Sequence, residues 1–465
     1  MRRLGGQDAA FWYGETTTGH MHMATLMVLD PSGAPDFGFE QFKRLVMQRL
    51  NVAPQLRWRV VEMPLGLDRP VFIEDEPDPE FHIRHIAVPA PGGRKEVEDL
   101  VSHLMGYKID RSRPLWEMWF IEGVEGDKVG LLAKCHHAII DGVAGASMLQ
   151  AMLDLEPEQG PTPDEKVDEI AAEPMPSQIQ LLASGLVNTA IFTPLRAARL
   201  SRQMLRQVGT LTGWVRRPER PPLYFQSPKT RLNGDFSANR QLSGITVDLN
   251  RVKAVKHALD VKVNDVVLAL GATAIRNYLL ELGELPAQAL TAQVPVSLRV
   301  DDDRHGGGNK VSNMSVSLAT DVDDPVERLL AIYASSSGAK EMRRALSAHA
   351  IIGITEATPP VLIGLAARAY TLSGLQRRAS PAGCVISNVP GPSFPFYVCG
   401  AKVVSFLPIG PPTLGIGLNM TCFSYLDKLH VGFITIPEMV PDVYKIADAV
   451  EPALAELEEG VRRRG

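Results

Sequence analysis

His136-His137-Ala138-Ile139-Ile140-Asp141-Gly142 gathers a general base and the residues that could support it into one short stretch. Histidine titrates near neutral pH, so a well-placed imidazole can take a proton from a hydroxyl and return it to a leaving group. The preceding run, Val129–Cys135, is mostly apolar and reads as a buried strand; the following Gly145–Leu153 carries helical apolar spacing. The paired histidines therefore belong at a strand end where the chain turns into a helix. Successive side chains of an extended segment point to opposite faces, so one imidazole can face a cavity while the other packs inward. Asp141 is expected to open the helix, with Gly142 easing the turn. A packed core histidine is the plain alternative for either ring. Metal binding is disfavoured: adjacent histidines diverge, and the chain has neither His-Glu-x-x-His nor Cys-x-x-Cys.

The elements that position this stretch fall into two halves. At 465 residues the chain is too long for one ordinary core. Residues 1–155 mix strands (Thr25–Leu29, Val71–Ile73, Trp119–Glu122, Val129–Cys135) with helices (Phe39–Leu50, Lys95–Met105, Gly145–Leu153). Residues 156–232 form a linker and crossover segment, acidic and Pro-rich at first. From Ser177 to Arg217 it holds no Asp or Glu and sets Arg196, Arg199, Arg202 and Arg206 at helical spacing. A basic amphipathic helix of this kind suits an anionic lipid surface, or it packs on the protein with its charges in water. Residues 233–465 repeat the mixture. Strands are expected at Gln241–Asp248, Leu290–Val296, Ser312–Leu318, Cys384–Ile386, Lys402–Phe406, Leu414–Met420 and Lys428–Thr435. Helices are expected at Leu249–Leu259, Val263–Glu281, Pro325–Ser347 and Pro441–Glu459. The class is α/β or α+β, with mixed sheets covered by helices.

Composition narrows the functions. A net charge of −5 gives no sign of nucleic-acid binding. Cys135, Cys384, Cys399 and Cys422 lack metal spacing and suit a reducing compartment. No signal peptide is evident after Met1-Arg2-Arg3, and the longest nearly uncharged stretch, Gly383 to Leu426, is broken by Pro and Gly into strand-sized pieces. A cytoplasmic protein is expected, peripheral at most on the inner membrane face or on lipid droplets. A serine hydrolase elbow is missing: Ala334-Ser-Ser-Ser-Gly338 lies inside a helical pattern rather than at a strand-turn-helix junction. No Walker loop or dinucleotide fingerprint is present.

Further stretches identify a family. In order they are Arg113-Pro-Leu-Trp-Glu-Met-Trp-Phe120, Val263-Asn-Asp-Val-Val-Leu-Ala-Leu270, Pro295-Val-Ser-Leu-Arg299, Gly308-Asn-Lys-Val-Ser-Asn313 and Ser387-Asn-Val-Pro-Gly-Pro392. With the histidine motif they resemble the bacterial wax ester synthase/diacylglycerol acyltransferases, a branch of the CoA-dependent acyltransferase superfamily, over nearly the whole chain. The resemblance implies two chloramphenicol-acetyltransferase-like domains with an active-site tunnel between them. It implies an O-acyltransferase that moves a long-chain acyl group from acyl-CoA, a substrate rather than a cofactor, to diacylglycerol or a long-chain alcohol. His137 would be the general base, with no acyl-enzyme. His136 would support the turn rather than do chemistry. Asp141 would be structural, held by an arginine, for which Arg299 is the candidate. Asn264 reads as a helix N-cap and Asp265 as a first-turn acid favoured by the helix dipole; Trp116 reads as packing. Ser387 and Asn388 either donate to the tetrahedral oxyanion or simply build the Val-Pro-Gly-Pro turn. A carrier-protein thioester as donor, another lipid alcohol as acceptor, or a lipid-binding relative without chemistry are the alternatives.

Overall fold

Two mixed sheets face each other, and each is assembled from segments far apart in the chain. The computed structural model describes residues 2–140, 145, 148, 152–157, 172–195, 198, 201–202, 213, 220–297, 311–345, 358 and 360–464. Asp141, Gly142, Arg299, Arg196, Arg199 and Arg206 lie outside the described residues, as does most of the expected helix Gly145–Leu153.

In chain order the first strands are β1 (Arg2–Arg3), β2 (His22–Asp30), β3 (Trp58–Val61), β4 (Val71–Glu74), β5 (Ile83–Ala87), β6 (Trp116–Val124) and β7 (Lys128–His136). The remainder are β8 (Gln241–Asp248), β9 (Thr291–Ser297), β10 (Val311–Ser317), β11 (Cys384–Val389), β12 (Tyr397–Val398), β13 (Ala401–Ile409), β14 (Leu418–Tyr425) and β15 (Lys428–Thr435). Among the described residues the first large sheet has the order β12-β13-β2-β7-β6-β5 and the second β10-β9-β11-β14-β15-β8, with a small β1-β4-β3 sheet beside the first. Most pairs are antiparallel, but β5 runs parallel to β6, and β11 runs parallel to both β9 and β14. The mixed α/β class expected from the sequence is therefore the one observed.

One feature of the topology is absent from the sequence reading. β13 comes from the second half of the chain yet pairs with β2 of the first sheet, Lys402 opposite Asp30 and Ile409 opposite Ala24. The second half of the chain thus lends β12 and β13 to the first sheet, whereas the second sheet takes all six of its strands from residues beyond 240.

Helix burial follows composition. Val263–Glu281 is apolar nearly all round and is buried from Asp265 to Leu279 apart from Asn277, as expected for a helix at the centre of a core. Its N-cap is Lys262, in extended conformation, rather than Asn264; Asp265 at the third helical position accepts the Lys262 N–H at 3.1 Å. Phe39–Gln48 buries Phe42, Leu45 and Val46 on one face of the first sheet, and Arg94–Gly106 buries Val97, Val101, Leu104 and Met105 on the other. The expected helix Pro441–Glu459 is two, Val443–Asp448 and Val450–Arg464. The expected strand Leu414–Met420 is displaced to β14, because Gly415 takes φ +80° in the turn before it.

Candidate active site

β7 delivers the histidine pair. His136 is its last residue, lying opposite His22 of β2, and His137 follows in the turn. The two rings diverge. His136 is buried on one side, whereas His137 lines a cavity of about 420 Å³ between the sheets. That volume is within the roughly 300–1,000 Å³ of small-molecule sites.

The cavity is lined from both sheets: Phe11, Met23, Trp116, Met118, Ala133 and Cys135 wall it on the first-sheet side, while the second-sheet side mixes apolar Pro295, Val296, Val385 and Phe423 with polar Gln293, Asn313, Ser387, Asn388, Asn419 and Thr421. Ser387 and Asn388 sit on β11, in register with Thr421 and Cys422 of β14, before the Val-Pro-Gly-Pro turn. His137 and these two residues therefore come from opposite sheets onto one cavity. Trp116 packs in the core, with its indole N–H donated to the Leu56 carbonyl at 2.6 Å. Asp265 does not line the cavity: its carboxylate accepts the Ser336 hydroxyl at 2.6 Å and lies 3.8 Å from Lys340 Nζ. Asn264 likewise does not line the cavity. Among the described residues no cluster of His, Cys, Asp or Glu is arranged to hold a metal ion.

Glu15 carries no motif and is not among the site residues expected from sequence. It follows the helix Gly6–Gly14, and its carboxylate is buried between charges. His136 Nε2 lies 3.0 Å from it, His22 Nε2 3.5 Å, Lys108 Nζ 2.8 Å and Arg111 Nη2 3.1 Å. Burial works to raise the Glu15 pKa, yet the contacts of His136 and His22 and the Arg111 charge outweigh it and hold the carboxyl well below the usual range. Burial pulls the His136 pKa down against the pull of Glu15. The His136 Nδ1 accepts the Ala138 N–H at 3.0 Å, which leaves the ring proton on Nε2, facing the carboxylate. Glu15 also accepts the Met21 N–H at 3.3 Å, and the Met21 carbonyl accepts the His137 N–H at 2.8 Å. The one available signal was local: Glu15 is the sole acid between Asp8 and Asp30, just before His20 and His22.

Cys135 faces the cavity beside His137, but burial pushes its thiol pKa up to about 12, which leaves it a protonated, poor nucleophile. The chemistry this arrangement offers is proton transfer by an imidazole at an apolar wall.

Comparison with known proteins gives the family. Residues 4–267 match the family described as the wax ester synthase/diacylglycerol acyltransferase catalytic domain, and residues 307–458 match the WS/DGAT C-terminal domain. A Mycobacterium tuberculosis protein bearing the name diacylglycerol O-acyltransferase is 35% identical over 463 residues, covering 99% of this chain and 90% of its own. A second from the same species is 34% identical, covering 97% of this chain and 96% of its own. The solved wax ester synthase/diacylglycerol acyltransferase from Marinobacter aquaeolei VT8 superposes with a TM-score of 0.72 at 29% identity, covering 99% of this chain and 100% of that one. The starter condensation domain of rhizomide synthetase, solved with C8-CoA and Leu-SNAC, shares the fold alone, with a TM-score of 0.58 at 14% identity. Family models over residues 4–267 and 307–458 and a relative 35% identical along nearly the full length lead to one assignment: the chain belongs to the wax ester synthase/diacylglycerol acyltransferase family.

Proposed function

We propose that the protein transfers a long-chain fatty acyl group from acyl-CoA to the hydroxyl of diacylglycerol, and of long-chain alcohols, with His137 as general base. The observation that carries this reading is the position of His137 on the wall of a largely apolar cavity between the sheets. His137 takes the hydroxyl proton as the oxygen attacks the thioester carbonyl carbon and the new C–O bond forms. The tetrahedral intermediate then collapses, the C–S bond breaks, and the thiolate leaves with the proton from His137. No acyl-enzyme forms, and the reaction calls on no cofactor. Such base catalysis typically contributes about 10²–10⁴-fold. Ser387 and Asn388 lie on the wall contributed by the second sheet and are the candidate donors to the oxyanion. His136, locked in place, supports the turn. Asp141 keeps the structural role that the family resemblance implies, with Arg299 as the candidate partner.

The acceptors are lipids, and peripheral contact with an anionic membrane face or a droplet surface belongs to the same proposal. Among the described residues no helix is long and apolar enough to cross a membrane. The support for surface contact is the uncharged helix that begins at Gln178, which exposes Ile179, Leu186, Val187 and Ile191 ahead of the arginine-rich stretch.

The test is CoA release from palmitoyl-CoA, with diacylglycerol and hexadecanol as separate acceptors. Acceptor-dependent release that falls at least about a hundredfold in His137→Ala, with the fold intact, is the expected result. Near-normal release by the variant would remove His137 from the mechanism. Silence of the folded wild type with both acceptors would point instead to a carrier-linked donor or another alcohol.

A further inference from the structure

The Gly6–Gly14 helix is the element whose sequence carries no motif and whose side chains nevertheless reach both histidines. Phe11 lies flat on the His137 ring, with centroids 4.1 Å apart and planes 13° from parallel. One residue on, Trp12 packs against His136 at 5.8 Å, and its indole N–H is held by Glu62 at 2.9 Å. Glu15, one helical turn beyond Phe11, contacts His136 directly and reaches the His137 backbone through Met21. The helix is itself tied down at both ends. Gln7 bonds both the N–H and the carbonyl of Val311 on β10, and Arg111 donates to the Trp12 carbonyl at 2.7 Å.

We infer that this helix is the positioning element of the histidine pair: Phe11 fixes the ring plane of His137 and stabilises its protonated form, and Glu15 anchors His136 and the turn between them. The inference rests on the reading of His137 as the base. In that reaction His137 becomes an imidazolium between the two proton transfers, in a largely apolar cavity. The face of an aromatic ring is electronegative, so a cation stacked on it is favoured. The same contact leaves the imidazole free to present its edge, and not its face, to the reacting hydroxyl. The His137 Nδ1 is buried, which makes Nε2 the nitrogen able to serve. Glu15 completes the support by tying the residue before His137 and the strand beside it to one carboxylate.

Among the described residues, the charged and titratable groups around the pair are Glu15, His22, Lys108 and Arg111 on the His136 side, Lys134 behind β7 and Cys135 on the cavity side. Replacing Phe11 alters none of these, so its effect on the pH profile reports the stack itself.

The experiment is the pH dependence of kcat/KM and kcat for acyl transfer in wild type, Phe11→Leu, Phe11→Tyr, Glu15→Gln and His137→Ala. Loss of the ring should lower the imidazolium's stability and hence the pH at which the base is half protonated. Phe11→Leu should therefore move the acid limb down by about half a pH unit and reduce kcat about three- to tenfold at little-changed KM. Phe11→Tyr, which keeps the ring face, should restore both. Glu15→Gln should lower kcat at unchanged KM; should it fail to fold, the Phe11 pair alone decides. Wild-type kcat and acid limb in Phe11→Leu, or a change confined to KM, would overturn the inference. If His137→Ala kept its activity, the base assignment would fail instead, and the two failures are told apart by that control.

Discussion

Lys134 shows how far this site has traded solvation for order. It lies on β7 two residues before His136, fully buried, with Nζ donating to the Leu104 and Tyr107 carbonyls at 3.0 and 2.5 Å. The Glu117 carboxylate is 3.9 Å away, yet burial pushes Lys134 down to about 8 and Glu117 up. Both partners are shifted toward their neutral forms, so desolvation outweighs their mutual attraction. In the unfolded chain Lys134 holds its proton up to its ordinary 10.5. Between those two values the unfolded state binds more protons, and stability must rise with pH. Thermal unfolding of wild type and Lys134→Met at pH 7 and 9.5 tests this: the difference should move in favour of wild type at the higher pH. The gain should be at most about 1.4 kcal/mol per pH unit. A pH-independent difference would mean that the lysine is not held in its low-dielectric state. At this scale the divergence of His136 and His137 was legible, because strand alternation alone requires it. Glu15 was not, since a single acid in a short segment has no periodicity to announce a partner that only the sheet register supplies.

At the scale of elements, the passage of β13 into the first sheet depends on two glycines. Gly244 of β8 and Gly432 of β15 are paired in register and together make a notch in the second sheet. A Cβ at 432 would stand 2.0 Å from the Pro408 carbonyl oxygen, and one at 244 would stand 2.1 Å from a Leu407 methyl. Pro408 and Leu407 belong to β13, so the notch is where the first sheet's borrowed strand crosses the second sheet. Gly432→Val should destabilise by at least the roughly 1–3 kcal/mol of an overpacked core, because backbone cannot swing aside as a side chain can. Differential scanning calorimetry that finds an unchanged transition would show that the crossing is looser than the geometry requires. Gly244→Ala meets only a leucine methyl and should cost less. The element boundaries were legible where apolar runs are bounded by turn residues: Gln241–Asp248 and Lys428–Thr435 are read from sequence as they stand. The Gly6–Gly14 helix was missed because it buries a polar residue, Asp8, and begins and ends in glycine, which leaves a weak amphipathic signal. Likewise, no local pattern says which sheet a strand will join. Lys402–Phe406 reads as a strand, but its pairing with β2 is decided by contacts between residues hundreds of positions apart.

For the whole molecule, the proposed acceptors set a problem of access: they partition into membranes or droplets, and the cavity lies between the sheets. The helix that begins at Gln178 offers a physical answer. It buries Leu181 and Gly185 and is tied down by Asn188, which donates to Asp68 at 2.8 Å. Its outer face leaves Ile179 78% and Leu186 55% exposed, and no charged residue occurs between Ser177 and Leu195. An apolar outer face of this kind is costly in water and suited to the acyl boundary of a lipid surface. Under the proposed surface contact, the arginines that follow in sequence, with no acid among them up to Arg217, would add attraction to anionic headgroups. Ile179→Asp combined with Leu186→Asp should therefore reduce flotation with phosphatidylglycerol-containing vesicles by tenfold or more. Both positions are solvent-facing, so the melting temperature should stay within a degree or two, and CoA release with a water-soluble short-chain alcohol should be unchanged. Binding of wild type should weaken as salt rises, because the arginine contribution is screened over about 8–10 Å at physiological ionic strength, whereas the apolar contribution is not. Equal flotation of variant and wild type would assign the exposed face to contacts other than lipid.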